Sequence, residues 1–329
     1  MRRIIPLCLI FLLLHACTPA EKPLYTIGIF QVNDAPTLNV VREGFIKALA
    51  DAGLVDRQNI RLIQKNAGGN IPQLQRIARE FVTQGVDMIV PLSTPALQAA
   101  LHASSEVPIV FSSVANPTLA GVGDSPQDHL RNVTGISSRG PIREGLAFIK
   151  EVLPEAVSIG TLWTPSELNS EYYLDLAKEA ARELGFTLTA VPIGNAGEIL
   201  PAAQILINKR IDAIYQISDN TLNAAFGTLA QVADENSIPL FGGFLLSTRA
   251  GACAALGWDF FAMGEKAGRL ALRIKSGENP AGIPIEHMIE VKLHINTEAA
   301  AKQGVRFPEE ILGKAASILT SGVPSELVF

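Results

Sequence analysis

Short runs of β-forming residues alternate regularly with amphipathic helical stretches, and this alternation constrains the fold more than any other feature of the chain. It begins at Tyr25, with strands predicted at 25–32, 60–66, 88–92 and 108–114 and helices between them. Strands that are separated by helices pair in parallel, and the helices cover both faces of the sheet. The first part of the chain is therefore predicted to be a doubly wound α/β unit.

The alternation starts again near Pro141 and produces a second unit of similar size. Its strands are predicted at 158–164, 187–193, 213–217 and 239–241, and its helices at 141–152, 167–184, 196–208 and 219–235. No linker rich in Gly, Ser or Pro separates the two units, so we expect two lobes joined by strands.

The remaining tail is expected to return to the first lobe and then cross again. It contains a predicted strand at 252–257, a helix at 260–276, a strand at 288–295 and short helices at 297–303 and 308–316. The predicted fold class is thus α/β, with two doubly wound parallel-sheet lobes joined by hinge strands. Lobe 1 is expected to comprise 24–137 plus 260–284, and lobe 2 to comprise 138–259 plus 285–329.

The N-terminus has the organisation of a secretory signal. Arg2 and Arg3 precede an apolar stretch at 4–14 that is too short for a permanent membrane span. The sequence Leu-His-Ala-Cys that ends at Cys17 resembles the lipobox of bacterial lipoproteins. We predict a signal peptide at 1–16, lipid attachment at Cys17 and a tether at 17–23, which would hold the protein on the extracytoplasmic side of a membrane. The alternative is an ordinary cleavable signal with a chance cysteine.

Charge and cysteine content exclude some classes of function. The chain has 27 Lys+Arg and 32 Asp+Glu, and no basic run, so nucleic acid is not expected as a partner. Of the three cysteines, Cys8 would leave with the signal and Cys17 would carry lipid. Cys253 is then alone, which precludes an intramolecular disulfide.

Sequence motifs for enzyme chemistry are missing from the chain. It has no P-loop, dinucleotide-binding glycine motif, HExxH, CxxC or GxSxG sequence. His102, His129, His287 and His294 are scattered without the spacing of metal ligands. We therefore expect a protein that is not an enzyme and that has no catalytic residues, metal or cofactor.

Polar residues recur at the predicted strand ends, where helices begin. Ligands of open parallel sheets bind beyond the carboxyl ends of the strands, and helix N-termini there receive carboxylates. These positions are the candidate ligand-binding residues: Asn33, Ser93, Thr94, Ser112, Ser113, Asn169, Ser170, Asp219 and Asn220. Ordinary helix capping by the same residue types remains the alternative for each position.

Several segments, in order along the mature chain, carry a resemblance to a known family. They are IGIFQ from Ile27, PLSTPA from Pro91, PIVFSSV from Pro108, SELNS from Ser166, ISDNT from Ile217, LGWDFFAMG from Leu256 and VKLHIN from Val291. With these segments the chain resembles the tryptophan/tyrosine-type substrate-binding proteins of ABC importers, which have a periplasmic-binding-protein-like type I fold.

The resemblance implies a monomer whose two lobes close on a small ligand, typically an aromatic amino acid. The closed form would be recognised by an ABC permease with its ATPase. For an amino-acid ligand we expect Asp219, beside Asn220, to pair with the ammonium. Ser93, Thr94 and Ser113 would bind the carboxylate, and Asn169 and Ser170 would close over the ligand. Two alternatives stay open: a lipoprotein that presents its ligand to a membrane sensor, and a binding protein of the same fold for another solute.

Overall fold

The computed structural model describes residues 24–320, which form two mostly parallel sheets with interleaved helices, so the predicted fold class is confirmed. The first part of the chain forms β1 (Tyr25–Gln31), α1 (Pro36–Asp51), β2 (Ile60–Asn66), α2 (Ile71–Thr83), β3 (Met88–Leu92), α3 (Thr94–Ala103), β4 (Ile109–Val114) and β5 (Val133–Ser137). The second part forms α4 (Ile142–Val152), β6 (Ser158–Trp163), α5 (Leu168–Leu184), β7 (Thr187–Pro192), α6 (Ile199–Asn208), β8 (Ala213–Gln216), α7 (Asn220–Ala224), α8 (Phe226–Glu235), β9 (Leu240–Gly242) and β10 (Ala254–Gly257). The tail forms α9 (Phe260–Lys275), β11 (Glu286–His287), β12 (Lys292–Asn296), α10 (Thr297–Lys302), α11 (Glu309–Leu312) and β13 (Ser317–Leu319).

Each lobe contains one sheet. The strand order in the first sheet is β11-β5-β4-β3-β1-β2, and its strand pairs are parallel. The order in the second sheet is β13-β12-β10-β9-β8-β6-β7, where only the β10–β12 pair is antiparallel among the described strands. Strand β3 is buried along its whole length, which explains its continuous apolar sequence.

Helices α1 and α9 cover one face of the first sheet and approach each other through glycines. A Cβ atom at Gly44 would lie 2.2 Å from the carbonyl oxygen of Phe261, and one at Gly264 would lie 2.0 Å from that of Val41. Both distances are below van der Waals contact, so these positions need a residue without a side chain. This packing fixes α9 in the first lobe, although it follows the second sheet in sequence.

The chain crosses between the lobes three times: after β5, between β10 and α9, and between β11 and β12. The indole Nε1 of Trp258, on the second crossing, donates to the carbonyl oxygen of Arg139 on the first over 3.0 Å. Lys292, just after the third crossing, pairs with Asp259 at 3.1 Å. These contacts connect the three crossings, which form the hinge.

Some elements differ from the sequence-based expectation. The helix expected at 219–235 is two helices, α7 and α8, because Ala225 between them has a non-helical backbone. The strand expected at 288–295 begins only at Lys292, since the preceding residues form the third crossing. The helix expected at 308–316 ends at Leu312, and β13 follows it. Strand β11, beyond the expected lobe boundary at 284, pairs with β5 in the first sheet.

Among residues 24–320, no helix combines the length and the apolar character needed to cross a membrane. The predicted signal peptide, Cys17 and the tether lie outside the described residues. Cys253 is a free thiol, and complete burial raises its pKa far above the usual range, which makes it a packing residue.

Candidate functional site

The first lobe presents hydroxyl-bearing side chains at the carboxyl ends of β3 and β4. Ser93, directly after β3, and Ser113, the penultimate residue of β4, both have positive φ angles, of 108° and 58°. The pairing of β4 with β5 shifts register at this place, between Phe111 and Val114. The buried hydroxyls of Ser93 and Ser112 have no hydrogen-bond partner. Thr94 is also buried, and its Oγ1 accepts from the backbone N–H of Ala115 at 3.3 Å.

The second lobe presents a buried carboxylate that the sequence analysis missed. Glu167, at the start of α5, is 5% exposed. Its oxygens accept from the backbone N–H groups of Asn220 and Thr221, both at 3.0 Å, and from Thr221 Oγ1 at 2.8 Å. The side-chain amides of Asn220 and Asn169 also donate to it, at 2.6 and 3.1 Å. These donors stabilise a negative charge beneath the lobe surface.

Asp219 lies next to Glu167 and is completely buried. Its Oδ1 accepts from the backbone N–H of Leu222 at 2.9 Å and caps α7, and its Oδ2 accepts from that of Thr164 at 2.9 Å. Burial, followed by the charge of Glu167, raises the pKa of Asp219 to about 7. Ser170 Oγ accepts from the same Thr164 N–H at 2.9 Å. Asp219 and Ser170 therefore accept from the same backbone N–H group in the interior of lobe 2.

A small polar cavity of about 10 Å³ lies between the lobes. Lobe 1 contributes Thr37, Ser113 and Ala115, and the rest of the lining is Ser138, Asn169, Tyr173, Ser218, Asn220 and Asn223. A volume of this size accommodates about one water, so an amino acid would need the lobes to part further. Asn223 Oδ1 is buried and has no hydrogen-bond partner.

Two further contacts organise this cavity. The Tyr173 hydroxyl donates to the carbonyl oxygen of Ser138 at 2.6 Å, and burial raises the pKa of that phenol to about 12. The side chain of Asn33 reaches across from lobe 1, and its Nδ2 donates to the carbonyl oxygen of Asn220 at 2.9 Å. These two hydrogen bonds fix the Tyr173 hydroxyl and the Asn33 amide beside the gap between the lobes.

The predicted site residues divide into two groups in the structure. Asn33, Ser113, Asn169 and Asn220 lie at the gap, whereas Ser93, Thr94, Ser112, Ser170 and Asp219 are buried and are not among the cavity lining. Five further residues at or beneath the gap were not predicted from the sequence: Thr37, Ser138, Tyr173, Asn223 and Glu167. Tyr173 could have been predicted from the sequence, because it lies one helical turn after Asn169 on α5 and therefore on the same face of that helix.

No group of three or more His, Cys, Asp or Glu residues in the range 24–320 is arranged to hold a metal ion. The site between the lobes offers amide, hydroxyl and carbonyl groups above a buried carboxylate pair. Such an arrangement can bind a small polar or zwitterionic ligand by hydrogen bonds and charge.

A sequence model described as "ABC transporter substrate binding protein" matches residues 26–319. The chain belongs to this family. The match covers both lobes and the hinge, so the family assignment holds for the whole described fold and not for one lobe.

Individual relatives have described ligands. The tyrosine-binding protein of Clostridioides difficile (strain R20291) is 34% identical over 278 residues, which cover 84% of this chain and 80% of that protein. A solved structure from Streptococcus pneumonia, described as an ABC domain in complex with L-Trp, is 25% identical with a TM-score of 0.86, covering 90% of this chain and 100% of that one.

A third similar protein has been solved without a ligand. The ligand-free, open structure of CD0873, a substrate binding protein with adhesive properties from Clostridium difficile, is 30% identical, covering 91% of this chain and 100% of that one. Its TM-score is only 0.67, lower than that of the less identical tryptophan complex. The fold of this chain is thus more similar overall to the tryptophan complex than to the open form.

Proposed function

We propose that this chain is an extracytoplasmic solute-binding lipoprotein that captures an aromatic amino acid between its lobes and delivers it to an ABC importer. The observation that carries the proposal is the polar gap itself, to which both lobes contribute and which Asn33 spans to reach Asn220. The family match and the tyrosine- and tryptophan-binding relatives support the ligand class.

The charge distribution of the two lobes suits a zwitterion. Lobe 2 holds the buried pair Glu167 and Asp219 behind Asn169 and Asn220, so its side of the gap favours an ammonium. Asn223 Oδ1, which lacks a donor, supplies an acceptor on the same side. A bound ammonium would give this buried oxygen the partner that buried polar groups normally have.

Lobe 1 suits the carboxylate of the same ligand. Ser113 and Thr37 line the gap, and Thr37 lies in the first turn of α1. Pro36 has no N–H, and the N–H groups of Leu38 and Asn39 donate to the carbonyl oxygen of Ala35, so this turn would offer a ligand the N–H and the hydroxyl of Thr37. The positive end of the α1 dipole favours an anion at this place. Ser93 and Thr94, at the start of α3, would add hydroxyl groups when the lobes part to admit the ligand.

Asp219 acts in this proposal through its neighbours. Both of its oxygens accept backbone N–H groups, so its effect on an ammonium is exerted through the position of Asn220 and through the shared charge of the Glu167 pair. The direct ion pair that the sequence analysis expected would require Asp219 to exchange one of these bonds for the ligand.

Attachment to the membrane and delivery are the parts of the proposal that concern the cell. Lipid on Cys17 would keep the protein beside the importer, and closure of the lobes would mark the loaded state for the permease.

Uptake of labelled tyrosine and tryptophan by cells with and without this chain separates import from presentation to a sensor. Import predicts loss of uptake in the deleted cells, whereas a sensor role predicts unchanged uptake.

Native mass spectrometry of the purified mature protein tests the ligand class. We expect a mass increment that equals tyrosine, tryptophan or phenylalanine and that disappears after unfolding and refolding in the absence of ligand. A reproducible increment of another solute would replace the aromatic amino acid in the proposal and leave the binding role intact.

A further inference from the structure

A second cavity, of about 290 Å³, lies at the junction of the lobes on the side of α1 and α9. Val40 of α1 and Phe260 of α9 form its wall in lobe 1, and Leu245, Leu246 and His294 form its wall in lobe 2. We call it the flank pocket. It shares no lining residue with the polar cavity between the lobes, and its volume is close to the lower end of small-molecule sites.

Charged groups border one side of the flank pocket. Lys292 Nζ lies 3.1 Å from Asp259 Oδ2, and Arg249 is also part of the lining. The imidazole of His294 is partly buried beside them. Its pKa is lowered by burial and by the charges of Lys292 and Arg249, which outweigh the opposite effect of Asp259. The cations Lys292 and Arg249 and the carboxylate of Asp259 thus all line the pocket together with His294.

We propose that the flank pocket binds an amphipathic monoanion, with an aromatic or branched apolar body against Leu246 and Phe260 and a single carboxylate or sulfonate beside Lys292 and His294. The apolar walls supply the burial, and the Lys292 ammonium, which Asp259 contacts from one side, orients the acidic group. Because the walls belong to different lobes, such a ligand would bridge them near the hinge. The flank pocket is a different site from the polar gap proposed to bind the aromatic amino acid, with which it shares no lining residue.

The anionic fluorophore 8-anilinonaphthalene-1-sulfonate is a suitable probe for the mature protein. We expect it to bind at one site, and Lys292→Met to weaken its Kd at least about tenfold, a loss of roughly 1.4 kcal/mol. Lys266→Met is the matched control, because Lys266 also pairs with one carboxylate, Glu286, but lies outside the pocket. The neutral analogue N-phenyl-1-naphthylamine should bind at least about tenfold more weakly than the sulfonate.

Nuclear magnetic resonance of the His294 ring locates the probe in the unmodified protein. A sulfonate beside the imidazole should raise the pKa of His294, with the resonance assigned through His294→Gln. Equal probe affinity in Lys292→Met and Lys266→Met, equal affinity of the neutral analogue, or an unmoved His294 titration would each overturn the proposal. The titration decides the matter even if Lys292→Met does not fold.

Discussion

The side chain of Asn33 holds both its own loop and the opposite lobe. Its Oδ1 accepts from the backbone N–H of Ala35 at 3.1 Å, which shapes the entry to α1, while its Nδ2 donates to the carbonyl oxygen of Asn220 at 2.9 Å. The backbone N–H of Asn220 is in turn bound by Glu167 at 3.0 Å. A chain of hydrogen bonds thus connects the first helix of lobe 1 to the buried carboxylates of lobe 2.

Replacement of Asn33 by Asp should weaken closure without disturbing lobe 1. The carboxylate keeps an acceptor for Ala35, but it removes the donor and places negative charge opposite the carbonyl oxygen of Asn220. We expect affinity for the aromatic amino acid to fall about five- to tenfold, in keeping with roughly 1 kcal/mol for a lost hydrogen bond. Calorimetric titration measures the affinity, and small-angle scattering should show a larger radius of gyration.

Asn59→Asp provides the control for Asn33. Asn59 also accepts a backbone N–H, from Val55 at 2.8 Å, and donates to a backbone carbonyl, that of Gly53 at 2.7 Å, but both partners lie in lobe 1. This variant should bind ligand normally. If Asn33→Asp also binds as well as the unmodified protein, the contact with Asn220 does not contribute to closure.

The sequence predicted the alternation of strands and helices well because each strand and helix has its own local period. It also predicted that polar residues gather at one edge of each sheet, because the carboxyl ends of parallel strands lie at the same edge. It could not show that Glu167 accepts from Asn220 and Thr221, more than fifty residues later, because only the folded lobe brings α5 and α7 together. Strand β13 was missed because its three residues pair only at the sheet edge.

Ser170 and Asp219 show a second limit of sequence reasoning. Both have the residue types of a ligand site, and both lie at helix starts. Whether such a side chain faces the ligand or the interior depends on its χ angles and on nearby backbone donors, here Thr164 N–H. The sequence therefore predicted loops that lie beside the gap, while the structure shows which of their residues line it.

Asp219→Asn tests the buried carboxylate pair through the pH dependence of stability. The pKa of Asp219 is raised to about 7 in the folded protein, whereas that of an Asp in the unfolded chain is about 3.9. Between these values the folded state binds a proton that the unfolded state has lost, so stability falls as the pH rises through this window. The variant is neutral throughout and retains a good helix cap.

Urea unfolding at several pH values between about 4 and 8 measures this effect. Relative to Asp219→Asn, the unmodified protein should lose more than about 1 kcal/mol of unfolding free energy across the window. Asp212→Asn should give a pH profile parallel to that of the unmodified protein over this range, because hydrogen bonds from Val157 and Ser158 lower the pKa of Asp212 despite some burial, and its titration lies below the window. Parallel pH profiles of Asp219→Asn and the unmodified protein would show that Asp219 does not titrate in this range.

Asn223→Ala should separate ligand binding from stability. Asn223 Oδ1 has no partner, and its Nδ2 makes only one long bond, of 3.3 Å, to Ser218 Oγ. Removal of an unsatisfied buried group costs little in folding, so the melting temperature should change only slightly. Affinity for the aromatic amino acid should fall at least about tenfold if this oxygen accepts from the ammonium.

Asn236→Ala is the comparison for Asn223. Asn236 donates to the carbonyl oxygen of Val232 at 2.8 Å at the end of α8 and takes no part in the gap. Loss of the Asn236 side chain should lower the melting temperature of the protein more than its affinity for the amino acid. Full affinity in a folded Asn223→Ala protein would mean that other acceptors hold the ammonium.

Cys17→Ala tests the proposed membrane anchor. The variant should no longer incorporate labelled palmitate and should appear either in the soluble fraction or as an uncleaved precursor. Cys253→Ala should still be labelled, since the Cys253 thiol is buried in lobe 2. Labelling of Cys17→Ala equal to that of the unmodified protein would exclude Cys17 as the acylated residue.

Isothermal titration of the refolded, ligand-free mature protein with tyrosine, tryptophan and phenylalanine tests the central claim most directly. Leucine and glucose serve as controls for amino acids without an aromatic ring and for sugars. We predict saturable binding of at least one aromatic amino acid at a single site, tighter than leucine by at least about tenfold. Absence of binding by all three aromatic amino acids, in protein that is folded and retains both lobes, would contradict the proposed function.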